Sequence, residues 1–99
     1  VIMLSWYLGN PETFAMPQRR IQRTQTGVRI ESSLLKVLKG LSEYTDLTLG
    51  DLLEGIVLHA FEGKAPFSSD TRAVIQQLTQ VYGCDLTAAD SHRMSEEST

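Results

Sequence analysis

The sequence predicts a mainly α-helical protein, in which one short amino-terminal strand is followed by two core helices and a third, carboxyl-terminal helix. Residues 25–30 alternate between the two faces of an extended chain, which is typical of a strand. Residues 34–61 and 69–82 instead repeat their apolar side chains at helical spacing. One strand and two helices bury too little surface to fold alone, so we expect a partner chain.

The chain divides into four predicted parts. These are an extension and basic arm at 1–22, a core at 23–63, an extension with the third helix at 64–89, and a polar, acidic tail at 90–99 that we expect to be disordered. The first nine residues are strongly apolar, and three interpretations stay open: the core of a signal peptide, an extra strand, or an upstream extension. Because Met16 opens a fresh segment, we expect residues 1–15 to add nothing to the core function.

The first predicted helix begins near Glu31 or Ser32, since an acidic residue suits the positive end of a helix dipole. Gly40 lies in its middle, where glycine costs about 1 kcal/mol relative to alanine. Either close packing against a neighbour requires this glycine or the helix tolerates it. The helix ends at Asp46-Leu47.

The second and third predicted helices have clear start and stop signals. A capping box from Thr48 to Asp51 opens the second, and Gly63 closes it. The second helix is apolar over more than half its circumference, which favours burial in a dimer. The third runs from Ser69 to Tyr82 and either pads the dimer core or docks a second protein.

This order of elements resembles the ribbon-helix-helix DNA-binding proteins. The resemblance covers Arg23 to Phe61 and rests on Val28-Arg29-Ile30 closing the strand, the pair Leu34-Leu35, the spacing to Leu38 and Leu41, and the turn Asp46-Leu47 before Thr48. It implies an intertwined homodimer, whose two strands pair into an antiparallel ribbon that enters the major groove of double-stranded DNA.

By this resemblance, the residues that read DNA bases are Arg23, Gln25, Gly27 and Arg29. Glutamine pairs with adenine and arginine with guanine through two hydrogen bonds each. Gly27 departs from the family, which usually has a side chain at this middle position. Three explanations stay open: the other three residues carry specificity, Gly27 lets the backbone approach the bases, or this member has stopped binding DNA.

Arg19 and Arg20 in the basic arm are expected to contact DNA phosphates. The resemblance implies the same role for Thr48, Leu49 and Gly50 at the start of the second helix. The free amides and the positive dipole end of a helix favour an anion. The carboxylate that follows Gly50 opposes a phosphate, and a plain helix cap remains the alternative interpretation.

The charge distribution is compatible with a nucleic-acid partner. The net charge is −3, but residues 1–40 carry six basic and two acidic residues, or +4, while residues 41–99 carry three basic and ten acidic residues, or −7. Local potential rather than net charge steers a polyanion.

The sequence offers no constellation for catalysis. We find no glycine-rich phosphate loop, no recognisable carboxylate pair and no activated nucleophile, so we expect no enzyme, no catalytic residue, no metal site and no cofactor. His59 fits a structural or surface role better than a metal site. The single cysteine, Cys84, fits a reducing cytoplasm, and no apolar run reaches the length of a membrane span.

Two classes of function remain. The first is a sequence-specific transcriptional regulator, most simply a repressor, that acts as a homodimer. The second is a dimeric interaction module that does not bind DNA and uses the third helix as its contact. An antitoxin, which binds DNA with the ribbon and a toxin with the carboxyl-terminal part, lies between the two.

Overall fold

A computed structural model of the protein describes residues 18–97, so the expectations for residues 1–15 and for Met16 lie outside it. The ordered elements are α1 (Ser32–Thr45), α2 (Leu49–Phe61), α3 (Ser69–Val81) and a short 3-10 turn (Ala88–Asp90). The predicted mainly α-helical class is confirmed, with helices at the three expected places.

Helix α1 begins where the sequence predicts. The Glu31 carboxylate accepts the Leu34 amide at 2.8 Å and the Ser33 hydroxyl at 2.6 Å, so the side chain satisfies a backbone group that has no partner within the helix. The helix ends at Thr45, and its carboxyl-terminal cap, Asp46, has a left-handed φ of 63°. This reversal leaves only Asp46, Leu47 and Thr48 between α1 and α2.

Helix α2 is capped by half of the predicted box. The Thr48 hydroxyl accepts the Asp51 amide at 3.1 Å. No return bond from the Asp51 carboxylate to the Thr48 amide is found among residues 18–97. At the other end Gly63 has a φ of 69°, and the Lys64 amide donates to the carbonyl of His59 at 2.8 Å.

Helix α3 is capped by Ser68, whose hydroxyl accepts the Thr71 amide at 3.2 Å. The helix ends at Val81, one residue before the predicted end, and Tyr82 is its carboxyl-terminal cap. Gly83 follows with a φ of 65° and turns the chain towards Cys84, which is buried.

The small core forms around α1, which packs against both α2 and α3. Its buried members are Val37 and Leu41 of α1, Leu52 of α2, and Cys84 after α3. Gly40 explains how α3 comes close to α1: a Cβ atom added there would stand 3.0 Å from Leu78 Cδ2 and 3.7 Å from the Tyr82 ring. The interpretation that Gly40 serves close packing is therefore the one the structure supports.

The segment before α1 differs from the prediction of a strand. Within the described part of the chain no residue is in a strand, and residues 18–30 lie in neither a helix nor a hydrogen-bonded ladder. The physical reason is that an isolated extended segment has no second strand to supply its hydrogen bonds. The predicted ribbon draws its second strand from another copy of the chain.

The single chain leaves much of its apolar surface uncovered. Val57, Leu58 and Phe61 of α2 are 44%, 61% and 81% exposed. The free energy falls when apolar side chains leave water, so this face of α2 favours a further packing partner.

Candidate nucleic-acid interface

The basic segment before α1 is attached to the surface of α2. The Arg23 guanidinium donates from Nε and from a terminal nitrogen to the two carboxylate oxygens of Glu54, at 2.9 and 2.8 Å. Ile21, two residues earlier, lines a shallow apolar groove together with Leu53, Val57 and Leu58 of α2. The segment therefore lies along one edge of the apolar face of α2, most of which the single chain leaves exposed.

Arg23 lies among carboxylates of α2. The hydrogen bond to Glu54 raises the pKa of Arg23, and the charge of Asp51 adds to this effect. The same hydrogen bond lowers the pKa of Glu54. Both side chains are largely exposed, so the solvent screens the pair and its contribution to stability is small. Arg23 is thus placed beside the first two turns of α2, with two of its guanidinium nitrogens bonded to Glu54.

Arg29 is engaged as well, by a residue far along the chain. Its Nε donates to Oε1 of Glu96 at 3.2 Å, and a terminal nitrogen contacts the other carboxylate oxygen of Glu96. The side chains of Arg29 and Glu96 are 84% and 66% exposed. Both arginines among the predicted base-reading residues therefore form two-point ion pairs with carboxylates of the same chain.

The other two predicted base-reading residues, Gln25 and Gly27, are exposed. A Cβ atom at Gly27 would meet nothing within 4 Å among residues 18–97, so no contact with these residues requires glycine there. On the opposite face of the expected strand only Ile30 is half-buried, while Val28 is 74% exposed. The expected alternation between a buried and an exposed face is thus present only next to α1.

The predicted phosphate anchor at the start of α2 has the geometry of a helix cap. The Thr48 hydroxyl is used by the Asp51 amide, and among residues 18–97 no acceptor is found for the amides of Leu49 and Gly50. These two amides are available to an anion at the positive end of the helix dipole. The exposed Asp51 carboxylate in the same turn opposes an anion, whereas the nearby Arg23 charge offsets it.

The two arm arginines, Arg19 and Arg20, are exposed and lie outside any helix. No ion pair involving either of them occurs in the described part of the chain. Exposed guanidinium groups suit phosphate contacts, which supply affinity without sequence preference.

His59, the histidine that the sequence analysis weighed as a metal ligand, lies on α2. His59 Nδ1 lies 2.7 Å from the carbonyl of Gly55 within α2, so the ring is held against its own helix. Residues 18–97 contain no group of three or more His, Cys, Asp or Glu side chains placed to hold a metal ion. Of the helices in the same range, none has the length and apolar character needed to cross a membrane.

The residues that the sequence analysis missed are the acidic partners, Glu54 and Glu96. They lie 31 and 67 residues from the arginines that they bind. Glu54 follows Asp51 at helical spacing, and this is a weak local sign of an acidic stripe on α2. Nothing local to Glu96 indicates its contact.

Comparison of this chain with protein-family models, with curated proteins and with solved structures gives no match. The function must therefore be argued from the chain's own geometry.

Proposed function

We propose that the protein is a ribbon-helix-helix regulator that binds double-stranded DNA as a homodimer. The observation that carries the proposal is the order of elements: an exposed basic extended segment, helix α1, a connection of three residues and helix α2. An extended segment without a ladder needs a partner strand, and the apolar face of α2 needs a partner surface. A second copy of the chain supplies both.

In such a dimer the segments around residues 23–30 pair into a two-stranded ribbon, which has the width that a major groove admits. Gln25 and Arg29 then project together from both chains towards base edges, and Arg23 lies one step further out. Arg19 and Arg20 contact phosphates. The exposure of all five side chains in the single chain supports this arrangement.

The α2 helix offers a second support. A Cβ atom at Gly55 would meet nothing within 4 Å, so another helix can approach its backbone closely. Leu58 and Phe61 are exposed on the same helix. Repression by occupation of an operator is the simplest outcome of dimeric major-groove binding.

A selection from random duplex DNA tests the proposal. The salt concentration is fixed at about 0.15 M, because non-specific binding falls steeply with salt. Recovery of a short repeated motif supports the regulator, and Arg29→Ala should reduce discrimination by about 1–3 kcal/mol at the base pairs it reads.

The matched control exchanges the same residue types elsewhere. The double variant Gln25→Ala/Arg29→Ala should lose the motif, whereas Arg72→Ala/Gln76→Ala, which changes an exposed pair on α3, should retain it. Circular dichroism checks that each variant is folded. A folded parent that recovers no motif overturns the proposal.

The second candidate is a dimeric interaction module that does not bind DNA. Specific observations favour it: Arg23 and Arg29 are paired with carboxylates, Gly27 has no side chain to read a base, and Val81 on α3 is 72% exposed. An antitoxin combines both candidates. If the selection recovers no motif, the interaction module becomes the favoured function, with the surface of α3 that carries Val81 as its contact.

A further inference from the structure

We infer that the carboxyl-terminal tail competes with DNA for Arg29 and so lowers the affinity of the protein for duplex DNA. This inference rests on the proposed function. Its basis is the two-point contact between the Arg29 guanidinium and the Glu96 carboxylate, which joins a predicted base-reading residue to the acidic tail.

The path of the tail is set by local structure. Cys84 is buried against the core directly after α3, and this anchors the start of the tail. The Thr87 amide then donates to Asp90 Oδ2 at 2.8 Å, and the Arg93 amide donates to the carbonyl of Asp90 at 3.0 Å. His92 adopts a left-handed φ of 65° between these bonds. Residues 84–93 therefore turn the chain, and the residues that follow reach Arg29.

The Arg29 guanidinium can bind either Glu96 or DNA through the same donors, but not both at once. A carboxylate presents two acceptor oxygens to a guanidinium, just as guanine presents O6 and N7 in the major groove and a phosphate presents two oxygens. Arg29 cannot satisfy Glu96 and a base with the same two donors. Glu97 adds a second negative charge beside the contact, and this also repels the phosphate backbone.

The size of the effect follows from exposure. Exposed ion pairs are screened by solvent and are weak, so the tail modulates binding rather than blocking it. We expect the contact to raise the dissociation constant of a duplex by about two- to fivefold for each chain. Because a dimer has two tails, the combined effect is about four- to 25-fold.

The test compares two neighbouring charges of the tail. Glu96→Gln and Glu97→Gln each remove one negative charge, but among the described residues only Glu96 contacts Arg29. Both proteins and the parent are titrated against one short fluorescein-labelled duplex of mixed sequence by anisotropy, at about 0.15 M salt. Glu96→Gln should bind several-fold more tightly than Glu97→Gln. In an Arg29→Ala background the two variants should bind equally.

A readout without DNA tests the contact itself. The Arg29 Nε–H resonance, assigned by its loss in Arg29→Ala, should shift in Glu96→Gln and stay in place in Glu97→Gln. Equal duplex affinities of the two tail variants, with a parent that binds, overturn this inference alone. If the parent and all of the variants are folded but none of them binds duplex DNA, the proposed function is overturned, and the inference with it.

Discussion

Replacing Leu58 by aspartate should abolish the homodimer while leaving the single chain folded. Leu58 is 61% exposed on α2, so a charge there meets water in the isolated chain and costs little. In the proposed dimer the same side chain is buried against the second copy. The charge must then leave water, which is unfavourable unless it finds a partner.

The magnitude follows from the exposed fraction. Burying a whole leucine side chain stabilises by about 1.5–3 kcal/mol, so covering the part of Leu58 that is exposed contributes about 1–2 kcal/mol per chain. A two-fold interface contains the residue twice, which gives about 2–4 kcal/mol. The dissociation constant of the dimer should rise by at least about 30- to 1000-fold, since every 1.4 kcal/mol is about tenfold. The desolvation of aspartate adds to this.

Sedimentation velocity over a range of protein concentrations measures the effect. Val81→Asp is the matched control, because Val81 is also an exposed apolar residue near the end of a helix, but on α3. Leu58→Asp should sediment as a monomer where the parent and Val81→Asp sediment as dimers. A dimeric Leu58→Asp together with a monomeric Val81→Asp would place the interface on α3 and refute the reasoning. A parent that is monomeric at every concentration would refute the dimer itself.

Two further predictions concern stability. Gly40→Ala should destabilise the parent by about 0–2 kcal/mol, because crowding against Leu78 outweighs the gain in helix propensity of about 1 kcal/mol. In a Leu78→Ala background the crowding is removed, so Gly40→Ala should stabilise the protein by about 1 kcal/mol. Urea unfolding of the parent, the two single variants and the double variant at one protein concentration measures these free energies. If the effects of Gly40→Ala and Leu78→Ala on stability simply add, the contact between the two residues is contradicted. Hydrogen bonds from Ser33 and the Leu34 amide lower the pKa of Glu31 below its ordinary 4.5, so their stabilising effect is present above that pH and is lost as the pH falls through the lowered value. The unfolding temperature of Glu31→Gln should therefore depend less on pH in the acid range than that of the parent. An equal dependence on pH in the two proteins would contradict the hydrogen bonds of the Glu31 cap.

The helix ends show what a sequence can determine. Glu31, Thr48 and Ser68 cap the three helices by bonding to amides three residues later, and Gly63 adopts the left-handed conformation that glycine tolerates best. The Thr48 cap and the stop at Gly63 join atoms that are close along the chain, so residue types at fixed spacing are enough to predict them. For Glu31 the sequence indicated only a favourable interaction with the helix dipole, and the hydrogen bond to the Leu34 amide is an addition of the structure. The end of α3 was wrong by one residue, since helix ends fray and Tyr82 closes the last turn as its cap.

The candidate site shows what the sequence could not determine. The partners of Arg23 and Arg29 depend on how α2 and the tail fold back on the amino-terminal segment, and no local pattern contains that information. The expected return bond of Asp51 is absent from the described residues, so the spacing of a capping box does not by itself ensure both of its bonds. The strand depends on hydrogen bonds from outside the single chain, so alternation alone is insufficient to form it.

The ion pairs suggest an order for assembly and binding. In the single chain the basic segment is held by exposed pairs to Glu54 and Glu96, which are weak and screened by solvent. A paired ribbon instead holds the segment through a ladder of backbone hydrogen bonds, and these do not need the arginine side chains. In the proposed dimer the ladder takes over the positioning role of the ion pairs, so a polyanion can displace Glu54 from Arg23 and Glu96 from Arg29 without loosening the segment. On this argument duplex affinity should follow the fraction of dimer, and Leu58→Asp should weaken DNA binding even though it alters none of the predicted DNA contacts.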